Sequence, residues 1–187
     1  MRARGRQNGR AQSSSPINEP WRDPSLSPLA VIFLFLHVLG AIAAFGPSFV
    51  LPIIASQSRK MPSGALFGLK LTDVIERRLI IPLGLFQAVT GIGLIWTVGF
   101  DLTATHWLAA GIILYVIAIS FAILVQARTV ESMIHLVEAA PPPAPGTPPG
   151  PPPPAFLALA KRAQNGGIFL TVLLVLIVFF MAVKPQF

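Results

Sequence analysis

Four stretches of this chain carry no charged side chain: residues 24–58, 79–100, 102–127 and 163–183. Each holds an apolar core of about 20 residues, the length a helix needs to cross ~30 Å of hydrocarbon. Lipid offers no water to backbone N–H and C=O groups, so each run has to pair them internally, as helix. The expected fold class is therefore all-α, a transmembrane four-helix bundle with a disordered N-terminal tail and a Pro-rich loop. Composition agrees. Of the 187 residues 53% are hydrophobic and 11% charged, with mean hydropathy +0.71, whereas a soluble domain carries about 25% charged residues.

The segments between the runs set the domain boundaries. Residues 1–28 open with "MRARGRQNGRAQSSSP", four arginines and no acid, and read as a basic disordered tail. Residues 29–138 hold helices one to three, about 29–54, 79–99 and 106–127, with room for the third to continue as a polar-faced helix to Glu138. Pro47 and Pro52 predict a kink late in helix one. Between helices one and two, Phe67, Leu71, Val74 and Ile75 recur at helical spacing, with Lys70, Asp73, Arg77 and Arg78 largely off that face. This amphipathic segment either lies on the membrane surface or extends helix two. The turn "FDLTATH" is short, so helices two and three should be antiparallel neighbours. Residues 139–160 form a Pro-rich linker; ten of the fourteen residues 141–154 are proline, which dictates extended polyproline II spacer character. Residues 161–187 carry helix four, about 166–184.

There is no cysteine, which excludes disulfides, thiolate metal sites and thiol nucleophiles. The formal net charge is +7 and the pI about 11.2. The basic residues flank membrane runs, and no nucleic-acid motif accompanies them. The expected partners are therefore the lipid bilayer and its anionic headgroups, met through Arg59, Lys60, Lys70, Arg77 and Arg78, with no nucleic acid. Eight basic residues (those five plus Arg128, Lys161 and Arg162) fall in the loops after helices one and three. The positive-inside rule makes that side cytoplasmic and places both termini outside. The expected location is the cell inner membrane, multi-pass.

His37 is the residue in helix one that most invites a chemical role. It lies about eight residues into the helix, roughly 12 Å deep at 1.5 Å per residue. Intramembrane ionisable groups are rare and often functional; a neutral imidazole hydrogen-bonded to a neighbouring helix is the plainer reading. Gln87 and Thr90 of helix two are candidate partners for it, and Tyr115 of helix three is a candidate donor within the bundle. A six-coordinate haem would need a second ligand at matching depth. His106 and Met181 are too shallow and His135 lies beyond the opposite face, which leaves His37 as a sole axial ligand. Glu131, His135 and Glu138 stand at i, i+4 and i+7 of one helical face, a spacing for a divalent metal, with Arg128 competing for Glu131. Trp96 and Trp107, with Asp101 and His106, mark an interfacial belt at the short turn.

The stretches "FLHVLGA", "IIPLGLFQAVTGIGL" and "HWLAAGIILYVIA", with the basic loop after helix one, resemble a bacterial family of predicted four-helix integral membrane proteins of unknown function. The resemblance covers about residues 30–138, plus helix four by position. The His-Val-Leu-Gly opening is also distantly similar to the first helix of the copper-resistance membrane domain and of haem-binding protoporphyrinogen-oxidase-type proteins. By analogy that similarity implies a haem or copper role for His37.

The leading expectation is an accessory or scaffold bundle with neither a cofactor nor catalysis of its own. Its rivals are a haem- or metal-binding redox protein using His37, and a small-substrate transporter that four helices would require to act as a homo-oligomer.

Overall fold

A computed structural model describes residues 27–58, 60–61, 64–140 and 151–185. The basic tail expected before residue 27, Arg59, and most of the proline run lie outside the described residues. All regular structure among the described residues is helical: α1 (Pro28–Phe45), a 3₁₀ segment (Gly46–Phe49), α2 (Leu51–Ser58), α3 (Gly64–Ile75), α4 (Ile81–Val98), α5 (His106–Phe121), α6 (Ala127–Glu138) and α7 (Pro154–Val183). They form four continuous rods long and apolar enough to cross a membrane, Pro28–Ser58, Gly64–Val98, His106–Glu138 and Pro154–Val183.

Local chemistry explains where each rod starts, bends and stops. Ser27 Oγ accepts the Ala30 N–H at 3.2 Å, and Pro28 follows at the first helical position, where it sacrifices no hydrogen bond. Pro47 has no N–H for the carbonyl four residues back, and the first rod tightens into 3₁₀ geometry there before resuming at Leu51. Pro82 likewise cannot donate to the Arg78 carbonyl; the turn just before it, Glu76–Ile80, widens into a π-turn. A second π-turn, Ala122–Gln126, interrupts the third rod. Gly99 ends α4 at φ 74°, its N–H donating to the Ile95 carbonyl, a left-handed cap that suits glycine.

The rods extend beyond their apolar runs. The first continues to Ser58, past the expected end at 54. The amphipathic segment is an unbroken extension of the second rod, not a separate surface-lying helix. The fourth begins at Pro154, so residues 154–160, expected in the linker, are helical.

Packing follows small residues. α1 lies against α4 and α5 against α7, while α4 and α5 touch only sparsely despite their short antiparallel turn. In the first pair Gly40 lies against Gln87 and Phe86, and Gly93 against the Phe33 ring. In the second, Gly111 meets the Met181 methyl and Gly166 meets Phe121 and Gln126. Without a Cβ at these points the backbones close in, and dispersion and interhelical hydrogen bonds hold them where lipid supplies no hydrophobic drive. At the basic end α3 packs on α6, and α6 on α7.

Candidate functional site

The polar centre of the first helix pair is built from His37 of α1 and Thr90 of α4. Thr90 is 1% exposed, and its hydroxyl lies 2.9 Å from His37 Nδ1. The same hydroxyl reaches back to the carbonyls of Phe86 at 3.2 Å and Gln87 at 3.1 Å. A threonine hydroxyl has a single proton. With that proton on the helix carbonyls, the oxygen accepts from His37, whose Nδ1–H is the donor. The neutral ring then carries its lone pair on Nε2. The ring sits over Gly91, where a Cβ would stand 3.2 Å from His37 Cε1.

One helical turn before Thr90, Gln87 is 6% exposed, and its Oε1 has no hydrogen-bond partner among the described residues. It faces Gly40, where an added Cβ would come within 2.8 Å of that oxygen. The centre thus holds one interhelical hydrogen bond and one orphaned buried acceptor. A glycine on each helix allows the approach.

Tyr115 joins the two helix pairs: its hydroxyl donates to the Gly84 carbonyl at 2.7 Å. In the second pair the Gln126 amide donates to the Ala163 carbonyl at 3.2 Å. At the short turn, Asp101 accepts from the Thr103 N–H at 2.8 Å and hydroxyl at 2.7 Å; these bonds hold its carboxyl below the ordinary aspartate value. Beside it Trp107 meets Phe100 edge-on, ring centroids 6.0 Å apart, and Lys184 lies 5.6 Å over its ring. Trp96, 79% exposed, points outward from the bundle at this end.

At the basic end the acidic face of α6 meets α3. Glu131 takes Arg77 at 2.8 Å, and Glu138 takes Lys70 at 2.7 Å. Arg77 also holds Asp73, one turn back, at 2.7 Å. The expected competition of Arg128 for Glu131 is replaced by a partner from another rod. These carboxylates bridge helices, and His135 is exposed between them. Among the described residues no group of three His, Cys, Asp or Glu side chains is close enough to hold a metal. Lys70 and Arg77, expected on lipid headgroups, are bound to carboxylates of the chain itself.

Sequence reasoning passed over Glu76. It lies in the first π-turn, only 4% exposed, and no hydrogen bond or ion pair engages its carboxyl among the described residues. Its neighbours Arg77 and Arg78 disguise it as part of a solvated charge run. The signal was its register: Glu76 stands twelve residues after Gly64 and eight after Gly68, on the small-residue face of the rod, which is the buried one.

The chain belongs to the family described as "Predicted integral membrane protein (DUF2269)", whose model matches residues 31–185. No curated protein and no solved structure matches the chain significantly. The shorter likenesses to the copper-resistance domain and to the protoporphyrinogen-oxidase type find no support in these comparisons.

Proposed function

We propose that this DUF2269 protein is an accessory or scaffold bundle of the bacterial inner membrane, without catalysis of its own, with the loops after rods one and three on the cytoplasmic side. The observation that supports this reading is where the bundle's polar groups go. His37 bonds to Thr90, Tyr115 to the Gly84 carbonyl and Gln126 to the Ala163 carbonyl, each across two rods. Arg77 and Lys70 do the same in ion pairs with Glu131 and Glu138. Side chains that would carry chemistry are engaged in holding helices together. Among the described residues no carboxylate partners His37 to tune it as an acid–base group, and its Nδ1 faces a hydroxyl.

A haem-binding redox protein is the second reading, and a specific feature favours it. Metal-bound histidines donate one ring N–H to a protein acceptor and leave the other nitrogen for the metal. With Nδ1–H on Thr90, His37 has its Nε2 lone pair in that state. A single absorbance spectrum decides between the readings. Protein expressed with added haem and purified in mild detergent should be colourless, and His37→Ala should change stability alone. A Soret band in the wild type that His37→Ala removes would overturn the scaffold reading.

A further inference from the structure

Between α5 and α7, next to the second π-turn, the surface opens into a groove of about 780 Å³. Its upper wall carries Lys161, Arg162 and Asn165; its floor is Phe121, Val125 and Phe169. The arrangement follows from helix register. Lys161, Asn165 and Phe169 stand at i, i+4 and i+8 and share one face of α7. From Lys161 to Phe169 that face passes from cation to aromatic ring over roughly 12 Å at 1.5 Å per residue. Gly166 rests against Phe121 and Gln126, which brings the α7 backbone close to the third rod and makes the groove's base. Phe169 packs edge-on against Phe121 with ring centroids 4.8 Å apart.

The groove's charge is uncompensated. Among the described residues no carboxylate lines it, and neither Lys161 nor Arg162 forms an ion pair. Lys70 and Arg77 differ in this respect, since their partners belong to the chain. Two cations and an amide at the headgroup level fit a phosphate. The aromatic floor immediately below, at the start of the apolar run 163–183, suits an acyl chain and would stay uncovered by a free phosphate. Basic pockets between transmembrane helices are where acidic lipid headgroups are held.

We propose that this groove holds one anionic phospholipid, its phosphate on Lys161, Arg162 and Asn165 and an acyl chain along Phe121, Val125 and Phe169. The full chain is reconstituted in phosphatidylcholine vesicles with a trace of spin-labelled phosphatidylglycerol or spin-labelled phosphatidylcholine, and the motionally restricted fraction is read by electron paramagnetic resonance. The wild type should restrict the labelled phosphatidylglycerol several-fold more than the labelled phosphatidylcholine. Lys161→Gln with Arg162→Gln should abolish that preference, the charge-preserving Lys161→Arg with Arg162→Lys should keep it, and Phe169→Ala should weaken it. Lys60→Gln with Arg78→Gln removes the same charge from headgroup positions outside the groove and should lower the preference only slightly. Survival of the preference in the Lys161/Arg162 glutamine variant overturns the proposal. Equal loss in the Lys60/Arg78 variant overturns it too, because it would report general surface charge. A preference cancelled by inorganic phosphate and indifferent to Phe169→Ala would assign the groove to a free anion. The chain has no cysteine, so Asn165→Cys introduces a single thiol. Efficient oxidative cross-linking of that variant between copies would show a second chain in the groove, again against the lipid.

Discussion

His37 and Thr90 are 53 residues apart in the chain and 2.9 Å apart across two membrane helices. This hydrogen bond is the polar lock of the first helix pair, and it lies beside the glycines that let α1 and α4 approach. Breaking it from either side should have the same effect. Thr90→Val and His37→Phe should each lower stability in mild detergent, and the double-mutant cycle should return a coupling of about 0.6 kcal/mol, at most ~1.7. Thr90→Ser keeps the acceptor and should restore most of the coupling. A coupling of zero, measured by reversible denaturation, would show the contact to be incidental.

The close approach itself makes a larger prediction. Gly93→Leu forces a side chain into the Phe33 ring, and Gly40→Leu drives one into Gln87 and Phe86. Overpacking of this kind costs about 1–3 kcal/mol. Gly46→Ala is the control, since a Cβ there meets nothing within 4 Å and the residue is already in right-handed helical conformation. It should be neutral or slightly stabilising. Thermal midpoints of the three variants in one detergent test the ranking, and a Gly46→Ala loss equal to that of Gly93→Leu would remove the packing argument.

Arg77 ties the second rod to the end of the third. It is paired with Asp73 and with Glu131, at side-chain exposures of 43%, 25% and 50%. Exposed pairs are weak, so Arg77→Gln and Glu131→Gln should show a coupling of about 0.2–1 kcal/mol. That coupling should shrink as salt is raised, because screening acts on exposed charges. Its persistence at high salt would mean the pair is more buried in lipid than in the isolated chain.

Glu76 is the inverse case. The residue is 4% exposed; Asp73 stands one turn before it on the same helix, and the adjacent Arg77 is itself held by Asp73 and Glu131. Unpaired charge in such a place is destabilising. Glu76→Gln keeps the shape and removes the charge, and should raise unfolding stability at pH 8 by about 1 kcal/mol. A loss of stability in Glu76→Gln, measured the same way, would show that the carboxylate has a cation or proton donor of its own.

The number of membrane rods was legible in the sequence because it rests on local chemistry. A run without charge, about 20 residues long, has one way to satisfy its backbone in lipid. Pro47 acts within one turn of itself, so its bend is readable along the chain, whereas Pro82 lies within a longer rod than its apolar run suggests. His37 could be marked for its depth, and Gln87 and Thr90 for their polarity, without any fold. Which rods pair, however, depends on surfaces that meet across the bundle. The short turn at Asp101 suggested that rods two and three pack together, but Gly40, Gly91 and Gly93 shape the first and second rods for each other. Gly111 and Gly166 do the same for the third and fourth. The partners of Glu131 and Glu138 were hidden for the same reason: Arg128 is near in sequence, while Arg77 and Lys70 are near only in space. Burial decided the rest. Glu76 reads as one more charge in a polar run until α1 comes against its turn, and Lys161 and Arg162 read as two more interfacial cations until Phe121 and Phe169 meet beneath them. Sequence periodicity specifies what one helix must do with its own backbone, and only tertiary contact determines which charges are neutralised and which are left open to a ligand.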